Sequence, residues 1–209
     1  MKKTVCIYPE DQTTDFLLPL YQHICENMHA LGIHTDTTEE DDSLDKIYQE
    51  IKDAEIVIFL GHGTSKMIYG SGCANVVFEE SNCHLLNDKK LVLLACNSDQ
   101  FICNYKLTNA IGFGFLPTSL DDARQIKQFH GINVEDFERA DIDSFNGALI
   151  CSLINTLSEQ TLSDFHLFKE RFRFNISKEI VRCLVGKETS NYRTVADELY
   201  YVFKDLIIS

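Results

Sequence analysis

Uninterrupted apolar runs constrain the fold of this chain more than any other feature. The two strongest are EIVIFL at 55–60 and LVLLA at 91–95, and runs of this length are typical of strands buried on both faces of a sheet. AIGFGFL at 110–116 is a third such run, and TVCIY at 4–8 is a shorter β-rich one. Strands separated by helical stretches predict a mostly parallel sheet with helices on both faces, a three-layer α/β/α fold.

Helical spacing of apolar residues fills the first gaps between these runs. The segment 14–31 predicts a helix in which Pro19 limits the first turn and Gly32 stands at the C′ position. A second helix is predicted from Ser43, as N-cap, through Lys52. One helix thus precedes the strand predicted at 33–37, and the other precedes the strand predicted at 55–60.

The remaining segments follow other patterns. Residues 33–37 predict a second, polar strand, and residues 66–88 fit neither period and are interpreted as a short hairpin with a loop. Helices are predicted in the last third of the chain at 144–158, 161–173, 176–185 and 192–207. Because no Gly/Pro/Ser-rich linker interrupts the chain, we expect a single domain over residues 1–209, with a core at about 1–142 and a helical part at about 143–209.

Charge and cysteine usage exclude several classes of protein. Nineteen basic and 32 acidic residues give a formal charge of −13, which argues against nucleic acid or an anionic membrane as partner. The apolar run near the N-terminus is too short for a signal peptide, so we expect a cytoplasmic protein with reduced cysteines. None of the eight cysteines forms a C-x-x-C pair, and neither a metal nor another cofactor is predicted.

Reactive side chains follow directly after the two strongest strands. His62 lies between two glycines after the first, and Cys96 ends the second in LVLLAC. Ligands of open parallel sheets bind beyond the carboxyl ends of the strands, so these two side chains are predicted to share a substrate. A thiol beside an imidazole is suited to nucleophilic attack on an acyl carbon, because part of it is thiolate near neutral pH.

Further groups at the same edge of the sheet complete the predicted site. The backbone N–H groups of Gly63 and Cys96 are candidate donors for an oxyanion hole. Acidic residues recur there, and Asp122, with Asp121 and Asp11, is the preferred candidate to bind a basic substrate side chain by charge-assisted hydrogen bonds. We expect the other histidines, including His130, to have structural or solvent roles.

With these motifs the sequence resembles the caspase-like clan (clan CD) of cysteine peptidases, and specifically its CHAT-domain type. The resemblance covers about residues 50–160, through IVIFLGHG, LVLLAC, AIGFGFLPTSLDDA and the helix SFNGALICSLINTL. It implies a metal-independent endopeptidase with His62 and Cys96 as its catalytic pair, a protein substrate, a regulatory or activating protein partner, and a role in regulated proteolysis or bacterial anti-phage defence. Leu94 replaces the glutamine that caspases carry two residues before the nucleophile, which argues against a preference for aspartate.

Two other functions compete with the peptidase. A flavodoxin-like or pseudo-caspase interaction module without activity has the same α/β pattern, because fold does not fix function. A nucleotide-binding domain is disfavoured, because the loop after the first strand reads PEDQTT and carries acids instead of the glycines that cradle phosphate.

Overall fold

A computed structural model describes residues 3–35, 42–131 and 137–209 as a three-layer α/β/α fold. The strands are β1 (Thr4–Pro9), β2 (Leu31–Thr35), β3 (Ile56–Leu60), β4 (His62–Gly63), β5 (Ile68–Tyr69), β6 (Val76–Phe78), β7 (Lys90–Leu94), β8 (Ala110–Gly112) and β9 (Ile207–Ile208). The helices are α1 (Leu18–Asn27), α2 (Asp42–Lys52), α3 (Ser98–Tyr105), α4 (Leu120–Ala123), α5 (Ile126–His130), α6 (Arg139–Ile154), α7 (Glu159–Ser163), α8 (Phe165–Gly186) and α9 (Tyr192–Lys204).

The central sheet has the strand order β2-β1-β3-β7-β8-β9 and is parallel except for β9. From β1 the chain first moves outward to β2 and then returns to β3 on the other side of β1. This reversal places a topological switch point between β1 and β3, where ligands of open α/β sheets bind. The predicted fold class is confirmed.

Alternate residues of the strands pack into two cores, one on each face of the sheet. On one face, Cys6, Ile58 and Leu94 pack against helices α1, α6, α8 and α9. On the other face, Phe59 and Leu93 pack against α2 and α3. The unbroken apolar runs follow from this arrangement, because a strand covered on both sides has no solvent-facing positions.

A small antiparallel sheet of β4, β5 and β6 lies beyond the carboxyl end of β3. It corresponds to the hairpin predicted at 66–88, and its first strand contains His62 and Gly63. Ile68 and Phe78 of this sheet are buried in the core beside α2 and α3. The segment after β3 is therefore held against the central sheet.

The glycine predicted to end the first helix belongs instead to the second strand. Helix α1 ends at Asn27, His29 adopts a positive φ of 50°, and Gly32 lies inside β2. A Cβ atom at Gly32 would lie 2.2 Å from the hydroxyl oxygen of Tyr21 and 2.8 Å from the sulfur of Cys25. Glycine is needed here for close packing of a helix on a strand. The second helix begins at Asp42, so Ser43 lies within it and not before it.

The strand predicted at 110–116 ends early, at Gly112. The next backbone groups bond to the loop after β7: the N–H of Phe113 donates to Ser98 Oγ (2.9 Å), and the carbonyl oxygen of Gly114 accepts from the N–H of Asn97 (2.9 Å). Asn97 makes no side-chain hydrogen bond to cap α3, and the Ser98 hydroxyl donates to the carbonyl oxygen of Leu93 (2.6 Å). Residues 113–114 instead stabilise the turn that follows Cys96.

The helical part differs from the prediction in two places. The helix expected at 161–173 is divided between α7, which ends at Ser163, and α8. Helix α8 then continues through the helix expected at 176–185, because Phe172 and Ile176 continue one buried stripe. The helix expected at 192–207 ends at Lys204 and is followed by β9, which pairs antiparallel with β8. Pairing covers the edge that β8 would otherwise leave open.

Within the described ranges, no helix is both long and apolar enough to cross a bilayer.

Candidate functional site

The register of two neighbouring strands brings His62 and Cys96 to corresponding positions. The parallel ladder pairs Ile56 with Lys90 and Leu60 with Leu94, an offset of 34 residues that also separates His62 from Cys96. The pairing continues one step beyond the ladder, since the N–H of Gly61 donates to the carbonyl oxygen of Leu94 (3.0 Å). Both side chains line one cleft of about 290 Å³.

Gly63 lies against the backbone that carries the cysteine. A Cβ atom at this position would come within 2.9 Å of the Ala95 Cβ and 3.0 Å of the Cys96 carbonyl oxygen. Such contacts cannot be accommodated without movement of the two strand ends. Glycine after His62 is therefore required by the close approach of the segments that carry the imidazole and the thiol.

His62 is oriented by a carboxylate and a hydroxyl from the loop after β1. Its Nε2 lies 2.8 Å from Asp11 Oδ2 and 3.1 Å from Thr13 Oγ1. The Thr13 hydroxyl donates its only proton to Asp11 Oδ1 (2.6 Å), so its oxygen can only accept from His62. Both contacts therefore assign the proton to Nε2. Nδ1 makes no hydrogen bond within the residues that the structure describes.

Asp11 is fixed by donors on both of its oxygens. Oδ1 accepts from the N–H groups of Thr13 (2.8 Å) and Thr14 (3.2 Å), and Oδ2 accepts from the N–H of Gly72 (2.9 Å). Burial by itself raises the pKa of Asp11, but these hydrogen bonds, together with the Thr13 hydroxyl and the charge of His62, lower it to about 2. Asp11 is therefore a carboxylate at any working pH, and it is a partner of His62 instead of the substrate contact that the sequence predicted.

Cys96 is partly exposed to the cleft, and its sulfur lies 3.4 Å from the carbonyl oxygen of Leu116. Burial, and secondarily the negative charge of Asp122, raise the pKa of the thiol to about 12. The thiol is thus neutral near pH 7, which differs from the partly ionised cysteine expected from the sequence. The N–H of Cys96 makes no hydrogen bond to any residue in the described ranges, so it is available to a ligand.

The two acids of helix α4 have different environments. Asp122 lines the cleft, and its Oδ2 accepts hydrogen bonds from Ser119 Oγ (2.7 Å) and Thr118 Oγ1 (3.3 Å). Asp121 has a side chain that is 84% exposed and forms an ion pair with Arg124. Only Asp122 of this pair is positioned to contact a ligand in the cleft.

Several residues of the cleft were not singled out by the sequence. Thr13, Cys73, Thr118 and Ser119 all line it, although polar or small residues in loops carry no signal of their own. Asp11 could have been assigned to His62 from topology, because β1 and β3 are adjacent and the carboxyl ends of parallel strands meet at one edge.

Cys103, which follows Cys96 in the chain and lies on α3, is exposed. The described residues contain no group of three or more histidine, cysteine, aspartate and glutamate side chains that could hold a metal ion.

Comparison of the chain with protein-family models, with curated proteins and with solved structures gives no match. The chemistry of the cleft is therefore inferred from its own residues and their geometry.

Proposed function

We propose that the chain is a cysteine endopeptidase in which Cys96 attacks the scissile carbonyl carbon and His62 transfers the proton. The observation that carries the proposal is the shared register of β3 and β7, which puts the imidazole and the thiol at the end of adjacent strands and in one cleft. A carboxylate on Nε2 of the imidazole supports the same function, because it orients the ring and stabilises its charged form.

The first step requires general-base catalysis. With a pKa of about 12, the Cys96 thiol does not ionise spontaneously near neutral pH, so the proton must leave as the carbon–sulfur bond forms. Since Nε2–H of His62 donates to Asp11, the basic nitrogen is Nδ1. The thiol proton passes to Nδ1, and the carbonyl π electrons move to the oxygen.

The negative oxygen is stabilised by backbone donors. The unpaired N–H of Cys96 is one, and the N–H of Gly63 is proposed as the second. Collapse of the tetrahedral intermediate breaks the carbon–nitrogen bond, and the imidazolium gives its proton to the leaving amine. A water molecule then attacks the thioester with His62 as base, which releases the carboxylate product and restores the thiol.

Asp122 is proposed to select a basic side chain on the residue before the scissile bond. Its carboxylate is near enough to Cys96 to raise the pKa of the thiol, and no hydrogen bond occupies its Oδ1 among the described residues. A lysine or arginine side chain there would form a charge-assisted hydrogen bond. The regulatory partner, the cytoplasmic location and the role in defence stay predictions from the sequence.

The direct test replaces the nucleophile. Cys96→Ala should abolish cleavage of peptide–aminomethylcoumarin substrates that end in arginine, lysine, aspartate or leucine, while the circular dichroism spectrum and the melting temperature stay unchanged. The matched control is Cys103→Ala, which removes an exposed thiol from α3 and should leave the rate unchanged. Full activity in Cys96→Ala would refute the proposal.

A non-catalytic interaction module is the second candidate, and the raised pKa of Cys96 favours it, because a neutral thiol is also typical of an inert cysteine. Two alkylating reagents separate the candidates. Both predict slow reaction of Cys96 with iodoacetamide. Only the peptidase predicts rapid modification of Cys96 by a peptidyl acyloxymethyl ketone, which places its electrophilic carbon where the substrate carbonyl lies. Equally slow reaction with both reagents would favour the module.

A further inference from the structure

A second hollow of about 350 Å³ adjoins the cleft. Thr118 and Ser119 line both, as do Thr13 and Phe16 of the loop after β1. The second hollow is also lined by Asp15, Arg139, Asp143 and Asn146. A chain bound across Cys96 can therefore reach this hollow over the residues that the two cavities share.

Asn146 lines the hollow and has an unused hydrogen-bond acceptor. Only 7% of this residue is exposed, and its Nδ2 donates to the carbonyl oxygen of Thr118 (3.1 Å). That bond fixes the orientation of the amide, because the carbonyl can accept only from the nitrogen. Oδ1 is buried and has no hydrogen-bond partner in the described structure. Buried acceptors without partners are rare in native proteins, and a donor from a bound ligand would satisfy this one.

The charges of the second hollow also favour a donor. Asp15 and Asp143 contribute two carboxylates, and Arg139 contributes one guanidinium, which bonds to Asp143 through Nε at 3.0 Å. The side chain of Arg139 is 77% exposed, so it can move aside at little cost. Two acids against one base, beside an unpartnered carbonyl oxygen, suit an ammonium or guanidinium group.

The position of His62 gives the direction of the bound chain. In the proposed reaction the imidazole protonates the leaving amine, so residues after the scissile bond lie on its side of the cleft. An open hollow on that side is lined by His62, Asp11 and Cys73. The second hollow shares Gln12, Thr13 and Asp15 with that open hollow but does not contain His62 in its wall. Its wall does contain Thr118 and Ser119, which bond to Asp122, so we assign it to residues before the scissile bond.

We infer that the second hollow is a subsite for a lysine or arginine side chain of the substrate, one or two residues before the residue that Asp122 binds, and that Asn146 is its specificity residue. This inference rests on the proposed peptidase function for the direction of the chain. It extends the substrate class from one basic residue to a pair of basic residues close together.

Peptides of the form acetyl-Ala-X-Arg-aminomethylcoumarin and acetyl-X-Ala-Arg-aminomethylcoumarin test the subsite, with X either lysine or its uncharged analogue norleucine. Cleavage by the wild type is measured as kcat/KM, and binding is measured by calorimetry on Cys96→Ala, which does not depend on turnover. In at least one series, lysine should be preferred about tenfold in both measurements, as expected of a charge-assisted hydrogen bond.

Three substitutions test whether the preference for lysine over norleucine arises in the second hollow. Asp143→Asn and Asn146→Leu should each reduce the lysine-to-norleucine ratio towards one. Gly147→Leu should do the same by filling the hollow. A Cβ atom at Gly147 would meet nothing within 4 Å, so this position has space for a side chain and provides a second test should Asn146→Leu fail to fold. The charge-matched control is Asp53→Asn, at an exposed site just before β3, which should leave the ratio unchanged.

The outcomes separate the subsite from the peptidase. Preferential binding of lysine peptides without any cleavage by the wild type would refute the proposed peptidase function and support the subsite. A ratio of one in both series, or a ratio that all three substitutions leave unchanged, would overturn the subsite whether or not the peptides are cleaved.

Discussion

Two histidine–carboxylate pairs of equal length occupy very different surroundings. His62 Nε2 lies 2.8 Å from Asp11, with side chains that are 28% and 10% exposed. His130 Nδ1 also lies 2.8 Å from a carboxylate, that of Glu198, but these side chains are 4% and 0% exposed. The first pair opens to a cleft that contains a thiol, whereas the second joins α5 to α9 in the interior.

The number of contacts around each imidazole explains what each pair can do. His130 is held on all sides: Nε2 lies 3.5 Å from Asp205 Oδ2, and the ring stacks on Tyr201 with centroids 4.1 Å apart. Among the residues that the structure describes, His62 bonds through Nε2 only, and Nδ1 has no hydrogen-bond partner. A histidine with both nitrogens occupied is a structural element, while one with a single oriented nitrogen can transfer protons.

The largest expected effect comes from Asp11→Asn. The Asp11 Oδ1 position receives three donors, from the Thr13 N–H, the Thr13 hydroxyl and the Thr14 N–H, so the amide oxygen should settle there and its NH₂ group should face His62. The imidazole must then accept at Nε2 and protonate Nδ1, which removes the base. We expect kcat to fall by about 10³-fold or more.

Two observations check the Asp11→Asn prediction. Nitrogen-15 NMR of the imidazole should show that the proton has moved from Nε2 to Nδ1, and Asp53→Asn should behave as wild type. A variant with normal kcat would show that the carboxylate is not needed to orient His62. The His62–Asp11 pair would then have no catalytic role to set against the structural role of the His130–Glu198 pair.

The second effect, on stability, is expected from His130→Ala. Removal of the imidazole leaves Glu198 buried without its partner, and breaking a buried pair in this way costs about 3–5 kcal/mol of unfolding free energy. Urea denaturation measures the loss, while kcat per folded molecule should stay normal. Glu10→Gln is the control: it removes the charge of an exposed pair with His34 and should cost no more than about 1 kcal/mol.

The pH dependence of stability gives a smaller effect. The pKa of Asp11 is lower in the folded chain, at about 2, than the ordinary value of about 4 in an unfolded chain. Its contribution of about 2 kcal/mol is therefore complete above about pH 4 and disappears as the pH falls towards 2. The difference in unfolding free energy between wild type and Asp11→Asn, measured by denaturation at successive pH values, should shrink over that window. A constant difference would contradict it.

The smallest effect is expected from Thr13→Val, which keeps the shape of the side chain. The variant loses the hydroxyl that donates to Asp11 and accepts from His62, but Asp11 remains bound to His62 and to the N–H of Gly72. We expect kcat to fall about tenfold, the value of one hydrogen bond to a charged group, with no change of tautomer in the NMR spectrum. A loss as large as that of Asp11→Asn would make the hydroxyl the main orienting group.

The sequence determined three central strands of the sheet and which residues follow them. Apolar runs without alternation predicted strands buried on both faces, and the sheet confirms β1, β3 and β7 close to the expected bounds. Order along the chain also predicted that His62 and Cys96 follow two of these strands. Both inferences depend on local composition, which burial imposes at every position of a covered strand.

Contacts between distant segments were decided by tertiary structure alone. The sequence placed Asp11 and His62 at the same edge of the sheet but did not show that the carboxylate bonds to the imidazole. Nothing near His130 in the sequence indicates that Glu198 is its partner. The pKa of Cys96 likewise depends on the walls that bury it and on Asp122. Each of these properties depends on residues that packing brings together from far apart in the chain, so the sequence pattern of a single segment cannot predict it.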